Sequence, residues 1–294
     1  MANLSLIIPV YNEASGIAEV LDELQTVLSA APEIDAMEIL VVDDGSTDGT
    51  AQAVANAAEK HPTVRLLTRT RNRGYGAAIK FGIRHAAHDI VGIADGDGSY
   101  PVERIPEMIR DMGDAAMMVG ARHPAIGQPL LRRPAKWFLT RLASYLAEEP
   151  IPDLNSGLRL FRKDALEHYL HLLPSRFSFT TTITLAMLCD EMPVTYVPIE
   201  LRPRTGTSKI RPIRDTLGFL LLIATTVTYF RPLKVLVPLA ALLFLAGVIK
   251  GATNLVFYDA AEGPNLKTSD LLLIVSGVQL FALALIADLI SKRR

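Results

Sequence analysis

Asp89-Ile90-Val91-Gly92-Ile93-Ala94-Asp95-Gly96-Asp97 is an apolar run that ends in two carboxylates one residue apart. A short, nearly continuous apolar run reads as a strand covered on both faces of a parallel sheet. Open α/β sheets bind ligands beyond the carboxyl ends of their strands, which is where Asp95-Gly96-Asp97 falls. Two acids held there repel one another and are costly to desolvate. A hard divalent cation carrying a phosphorylated substrate removes that cost. The triplet also suits a solvated turn, since Asp and Gly are common turn residues.

Strand and helix signals alternate on either side of this run. Residues 4–10 read as a strand, 15–30 as a helix with Ser15 near its start, and 38–42 as the next apolar run. Residues 47–60 read as helix, 64–68 as strand, 75–87 as helix and 90–94 as strand. A helix is expected over 102–112 behind Pro101, and a strand over 116–119. This rhythm predicts an α/β fold, a Rossmann-like, mostly parallel sheet with helices on both faces. Residues 121–135 have loop composition. An amphipathic helix is expected over 136–147, then strand over 156–162, helices over 164–173 and 180–189, and strand over 194–199. Residues 202–214 are basic and contain proline.

The chain has 294 residues and a net charge of −1, so no global field attracts nucleic acid. Cys189 is the sole cysteine, which excludes an intramolecular disulfide and a thiolate metal cluster. His85/His88 and His168/His171 have helical spacing but no carboxylate that completes a zinc motif. No basic segment followed by a long apolar stretch opens the chain, so the N-terminal domain is expected to stay in the cytosol.

Mean hydropathy is +0.27, and the apolar excess is concentrated at the C-terminal end. Residues 233–256 and 271–290 each match the roughly 20 residues that cross a bilayer as a helix. Arg231 and Lys234 precede the first segment, and Lys292, Arg293 and Arg294 follow the second. The connection between them carries Asp259, Glu262 and Asp270. The positive-inside rule then places the N-terminal domain and both termini in the cytoplasm, with two spans in the cell membrane. Lys250 can snorkel outward, and Asp288 lies within a turn of the inner interface. Residues 217–230 are apolar but too short to span comfortably; they read as an interfacial amphipathic helix, or as a third, tilted span. The expected domains are 1–210, 211–231 and 232–294.

Other strand exits should share the edge of Asp95 and Asp97. The first reads Pro9-Val10-Tyr11-Asn12-Glu13 and the second Val42-Asp43-Asp44-Gly45-Ser46-Thr47-Asp48-Gly49. An aromatic ring and carboxylates suit a nucleoside, with Tyr11 stacking on the base and an acid accepting ribose hydroxyls. Ser46, Thr47 and Asp48 are also good helix caps, which leaves Asp44 free for ligand. Arg71-Asn72-Arg73-Gly74-Tyr75-Gly76-Ala77-Ala78 opens a helix and partly mimics a dinucleotide fingerprint. The third glycine and the strand-terminal acid are missing, which argues against a dehydrogenase.

Together, Pro9-Val10-Tyr11-Asn12-Glu13, Val41-Val42-Asp43-Asp44-Gly45-Ser46, Asn72-Arg73-Gly74-Tyr75-Gly76 and Asp95-Gly96-Asp97 resemble family 2 glycosyltransferases of GT-A fold. Arg204-Thr205-Gly206-Thr207-Ser208-Lys209 and Asp153-Leu154-Asn155-Ser156-Gly157-Leu158-Arg159-Leu160 resemble the polyprenyl-phosphate branch, which includes dolichol-phosphate mannosyltransferase and bactoprenol glucosyltransferases. The resemblance implies transfer of a sugar from a UDP- or GDP-hexose to a polyprenyl phosphate lipid at the cytoplasmic membrane face, with inversion. It implies that Pro9, Tyr11, Glu13, Val42 and Asp44 line the nucleoside pocket. Asp95 and Asp97 would bind Mg²⁺ or Mn²⁺, with Gly96 and Ser99 beside them. Many relatives have Gln at the position of Ser99. Arg122, Arg204 and Lys209 would hold phosphates and act in catalysis, and Arg122, Lys136 and Thr140 would contact the acceptor phosphate. Lys136 stands where the branch has Arg, which keeps the charge but not the bidentate fork. A homo-oligomer is plausible by the same resemblance.

The chemistry agrees with it. A lipid phosphate is already anionic at neutral pH, so it needs charge neutralisation and alignment, not a general base. Asp153 would matter as a base only for a hydroxyl acceptor. The basic residues over 122–136 and 202–214 suit a phosphate, and they also suit simple attraction to anionic headgroups. A processive polysaccharide synthase is an alternative, but its Gln-x-x-Arg-Trp motif is absent around Trp137, the only tryptophan. A non-catalytic membrane scaffold that binds a nucleotide sugar or lipid is another, against which the Asp95/Asp97 pair argues.

Overall fold

The computed structural model describes residues 1–122, 133–175, 178–202, 212–257 and 266–292, leaving out the side chains of 133–139 and 212–219. The chain divides into two compact units, Met1–Leu220 and Leu221–Arg294.

The first unit is built on a seven-stranded sheet. Its strands are β1 (Ala2–Val10), β2 (Ile34–Asp43), β3 (Val64–Thr68), β4 (Ile90–Ile93), β5 (Met117–Arg122), β6 (Arg159–Arg162) and β7 (Val194–Ile199). They lie in the order β3-β2-β1-β4-β6-β5-β7. Neighbours pair parallel except β6, which runs antiparallel to both β4 and β5. The mostly parallel sheet expected from the alternating pattern is present.

Helices cover both faces. Leu4, Leu6, Ile8 and Val10 of β1 join one core with α1 (Ile17–Ser29), α2 (Thr50–Lys60) and α4 (Ile105–Arg110). Ile7, on the opposite face, meets α3 (Tyr75–His85), where a Cβ on Gly82 would fall 2.6 Å from it. With both faces packed, β1 has no reason to alternate, and residues 4–8 are all buried. The remaining helices of this part are α5 (Arg133–Ala147), α6 (Lys163–Tyr169) and α7 (Phe179–Cys189). Every residue of α7 is buried, as befits a helix with no polar face. Two of its threonines satisfy their hydroxyls locally, Thr182 donating to the Ser178 carbonyl and Thr184 to that of Thr180, while Thr181 donates to Asn155 Oδ1 at 2.6 Å.

Several boundaries move. The helix expected over 102–112 is a 3-10 turn, Val102–Arg104, leading into the short α4. The strand expected to begin at 156 begins at Arg159, because the preceding residues form a loop. The helix expected from 47 begins at Thr50, with Gly49 as its N-cap residue. Of Ser46, Thr47 and Asp48, only Asp48 caps, accepting from the Thr50 N–H at 3.0 Å. Ser15 does not cap α1; its N-cap residue is Gly16.

α8 (Pro212–Phe230) carries the chain from the first unit into the second. It is 19 residues long, five more than its apolar stretch. The second unit holds α9 (Pro232–Val256) and α10 (Thr268–Ser291), both long and apolar enough to cross a membrane. They pack together through small residues. A Cβ on Gly247 would sit 2.8 Å from the Ile274 backbone nitrogen, and one on Gly277 2.7 Å from that of Phe244. Lys250 does not simply snorkel: its Nζ lies 3.2 Å from Asp270 and donates to Ser269 at 2.6 Å. Asp288 pairs with Lys292 one turn on, at 2.8 Å.

Candidate active site

Three parallel neighbours, β2, β1 and β4, end at one edge, so their exits emerge side by side. Two of those exits are tied together. Asn12 takes a left-handed φ of 57°, which an Asn side chain tolerates. Its N–H donates to Ser46 Oγ at 3.0 Å, and the Thr47 N–H donates to Asn12 Oδ1 at 2.8 Å. The Glu13 N–H donates to Thr50 Oγ1 at 2.9 Å, and the Ala14 N–H to Asp48 Oδ2 at 3.2 Å. Ser46 and Thr47 are thus spent on positioning Tyr11 and Glu13.

Asp44 has a similar task. Its carboxylate accepts from the Arg73 N–H at 3.0 Å and the Gly74 N–H at 2.7 Å, with the Arg69 guanidinium 3.0 Å away. Gly74 turns the chain into α3 at φ 101°, ψ 162°, a conformation L side chains rarely adopt. Asp44 therefore faces the cavity already engaged with the loop before α3, not free as the capping argument had it.

The result is a cavity of about 480 Å³. Pro9, Tyr11, Glu13, Asp44, Asp95, Gly96 and Asp97 line it together with Arg73, Gly74 and Tyr75. Val42 is outside that lining, wholly buried in the sheet. Ser99 is buried as well, and its hydroxyl donates to Asp97 Oδ1 at 2.6 Å while its N–H donates at 3.1 Å. Ser99 thus holds the metal-candidate carboxylate itself, across a turn that Gly98 makes at φ +69°.

Arg122, at the end of β5, grips Asp153 with both arms of its fork, Nε to Oδ2 at 2.5 Å and Nη2 to Oδ1 at 2.8 Å. Burial opposes the charge on Arg122, but the hydrogen bonds and charge of Asp153 outweigh it and raise the arginine's pKa. Thr140 is half-buried on α5. Arg204, Lys209 and the Lys136 side chain lie outside the described residues.

Three contributors escaped the sequence reading. The Tyr75 hydroxyl donates to Asp95 Oδ1 at 2.9 Å. Burial, then the Asp95 charge, pushes its pKa well up, so it remains a donor. Gly157 packs flat against the Asp95 carboxylate: a Cβ there would lie 2.6 Å from Oδ2. Arg159 is wholly buried beneath the site and ties down its loop, donating to the carbonyls of Ser156 (2.8 Å) and Leu154 (3.0 Å) and to Thr184 (2.7 Å). The available signals were a tyrosine opening α3 directly after Gly74 and a glycine just before a strand, which marks close backbone approach.

Among the described residues, no group of three or more His, Cys, Asp or Glu forms a metal site. Two carboxylates still fit Mg²⁺ or Mn²⁺, which favour oxygen ligands and take substrate phosphates and waters for the rest.

Residues 5–170 match the model of glycosyl transferase family 2. The chain belongs to that family. Residues 231–292 match the GtrB C-terminal hairpin. Dolichyl-phosphate beta-glucosyltransferase ALG5C of Trichomonas vaginalis is 31% identical over 226 residues, 70% of this chain and just under two thirds (66%) of that protein. Undecaprenyl-phosphate 4-deoxy-4-formamido-L-arabinose transferase of Klebsiella pneumoniae is 28% identical over 98% of this chain and 88% of its own length. Undecaprenyl-phosphate mannosyltransferase of Micrococcus luteus is 30% identical over 69% of this chain and 86% of its own length. Among solved structures, glucosyl-3-phosphoglycerate synthase from Mycobacterium tuberculosis with Mn²⁺, UDP-glucose and phosphoglyceric acid superposes with a TM-score of 0.56. That match is 17% identical and covers 77% of this chain and 80% of the other. Mannosyl-3-phosphoglycerate synthase from Rubrobacter xylanophilus gives 0.57 at 18% identity, covering 79% and 74%. At these identities the likeness shows the fold.

Proposed function

We propose that this glycosyltransferase moves a sugar from a UDP- or GDP-hexose to a polyprenyl phosphate. The observation that carries the reading is the convergence of Asp95 and Asp97 with Tyr11 and Glu13 in one cavity at the strand exits. The relatives named for dolichyl- and undecaprenyl-phosphate substrates supply the acceptor class.

In this reading Tyr11 stacks on the base and Glu13 accepts ribose hydroxyls. Asp95 and Asp97 hold Mg²⁺ or Mn²⁺, which when bound neutralises charge on the departing diphosphate. Tyr75 and Ser99 keep the two carboxylates aimed before any ligand arrives, so little reorganisation remains for the reaction. Arg122, Arg204, Lys209, Lys136 and Thr140 receive the phosphates. The anionic acceptor attacks the anomeric carbon opposite the leaving group, with inversion. α9 and α10 span the bilayer as a hairpin with both ends cytoplasmic.

The test is a donor screen on the full-length protein with Mn²⁺ and undecaprenyl phosphate. One lipid-linked sugar and a released nucleoside diphosphate are expected. Polymer, or no nucleoside diphosphate from any donor, refutes the proposal. Asp97→Asn should lower turnover by at least about 100-fold, the scale of losing one preorganised electrostatic group; undiminished turnover removes the metal assignment.

A further inference from the structure

A second cavity, of about 540 Å³, opens where edge strand β3 runs out alongside α3. Five of its walls are cationic: Arg69, Arg71, Arg73, Lys80 and Arg84. Among the described residues, no acidic side chain lines it. Lys80 and Arg84 stand four residues apart, on one face of α3, where like charges destabilise a helix. Lys80 is half-buried, and its ammonium donates to the Leu173 carbonyl at 2.7 Å. Burial, then the charge of Arg84, pushes its pKa down. Arg69 lies over the Phe81 ring, 5.8 Å from its centroid. Its Nη1 is buried close to Asp44 but makes no aligned hydrogen bond.

A solvated face spreads its cations into water, each with its own hydration. Here the Leu173 carbonyl holds Lys80 and the Phe81 ring backs Arg69 at one concavity that Arg71, Arg73 and Arg84 also line, and a cleft lined by one sign of charge concentrates counter-ions. Guanidinium forks match phosphate geometry in pairs. We propose that this cavity is a second anion site that takes a phosphate-bearing ligand, separate from the Asp95/Asp97 cavity. Arg73 lines both cavities, so the two sites share a wall. The ligand is either free phosphate or the phosphate of an anionic lipid headgroup.

The test uses the full chain in uncharged detergent with EDTA, titrated calorimetrically with pyrophosphate and, separately, with dihexanoyl phosphatidylglycerol as a soluble headgroup. Binding of at least one probe is expected, weakened at least tenfold by Arg71→Gln/Arg84→Gln and unchanged by Asp97→Asn. Both arginines are exposed, so the double variant should melt as wild type does. Tighter binding of pyrophosphate assigns free phosphate as the ligand; tighter binding of the lipid assigns the headgroup. No binding of either probe at millimolar concentration, or binding that survives in the double variant, overturns the proposal. Weakening by Asp97→Asn in place of the double variant places the anion in the first cavity and also overturns it. None of these readouts depends on turnover, so failure of the proposed transfer reaction would show separately.

Discussion

Gly157→Ala is a one-methyl test of how Asp95 is held. The added Cβ would lie 2.6 Å from Asp95 Oδ2 and 2.9 Å from Cγ and Oδ1, where ordinary contact begins at 3.4 Å. The backbone at 157 has little room to yield. Its N–H donates to Tyr100 Oη at 2.6 Å, and the flanking Ser156 and Leu158 are wholly buried. The carboxylate must therefore turn. Swinging it off its rotamer costs about 0.5–1.5 kcal/mol. Parting it from the Tyr75 hydroxyl forfeits a hydrogen bond to a charged group, worth about 1.5–3 kcal/mol. Together this is roughly 2–4.5 kcal/mol against the binding geometry, or about a 30-fold to 2000-fold loss of Mn²⁺ affinity. Free Mn²⁺ measured by electron paramagnetic resonance during titration, beside turnover, reads the effect. Gly120→Ala is the control, since its Cβ meets Ile199 Cδ1 at 2.9 Å and crowds the core without touching Asp95. A folded Gly157→Ala protein with wild-type Mn²⁺ affinity would refute the reasoning.

Asp153→Asn should destabilise the first unit by about 3 kcal/mol, because Arg122 loses the charge that offsets its burial; a chemical denaturation midpoint unchanged from wild type would contradict that. Glu38 is a pH probe. Burial alone raises its pKa, but bonds from the Ser5 hydroxyl, the Ala87 N–H and Arg65 hold it below the ordinary 4.5. A carboxylate with a depressed folded pKa stabilises above its unfolded pKa and loses that contribution as pH falls through the folded value. The melting-temperature gap between wild type and Glu38→Gln should thus be level near neutrality and shrink below about pH 4.5; a gap that widens on acidification would show the sign to be wrong. In the hairpin, Gly277→Leu drives a side chain into the backbones of Phe244 and Ala240, which cannot step aside. Overpacking of about 1–3 kcal/mol should part α9 from α10, seen as faster limited proteolysis of the 257–267 connection in micelles than for wild type.

Much of the fold was legible in the chain. β1 through β4 are short apolar runs separated by helical stretches, and that period alone predicts a mostly parallel sheet. The two long apolar helices were equally plain, because length and composition suffice to recognise them. The cavity was legible too, for a related reason. In a parallel sheet every strand exit reaches the same edge, so Tyr11, Glu13, Asp44, Asp95 and Asp97 had to meet once β1, β2 and β4 were neighbours.

What escaped were pairings between residues far apart in the chain. That Asp44 serves the Arg73–Gly74 loop, that Ser99 holds Asp97, and that Arg122 is gripped by Asp153 depends on which oxygen faces which nitrogen. The antiparallel β6 has the same character. It inserts between β4 and β5, and the loop entering it lays Gly157 against Asp95, from a segment 62 residues later whose apolar pattern says nothing about direction. The basic cavity is another such product, since Arg69 and Arg71 leave a strand while Lys80 and Arg84 ride a helix. The sequence by itself determined the period of the strands, and hence the common edge where charge gathers. Only the tertiary structure decided which charges are spent on one another and which remain for a ligand, because hydrogen bonds are directional and short-ranged while hydrophobic patterning is neither.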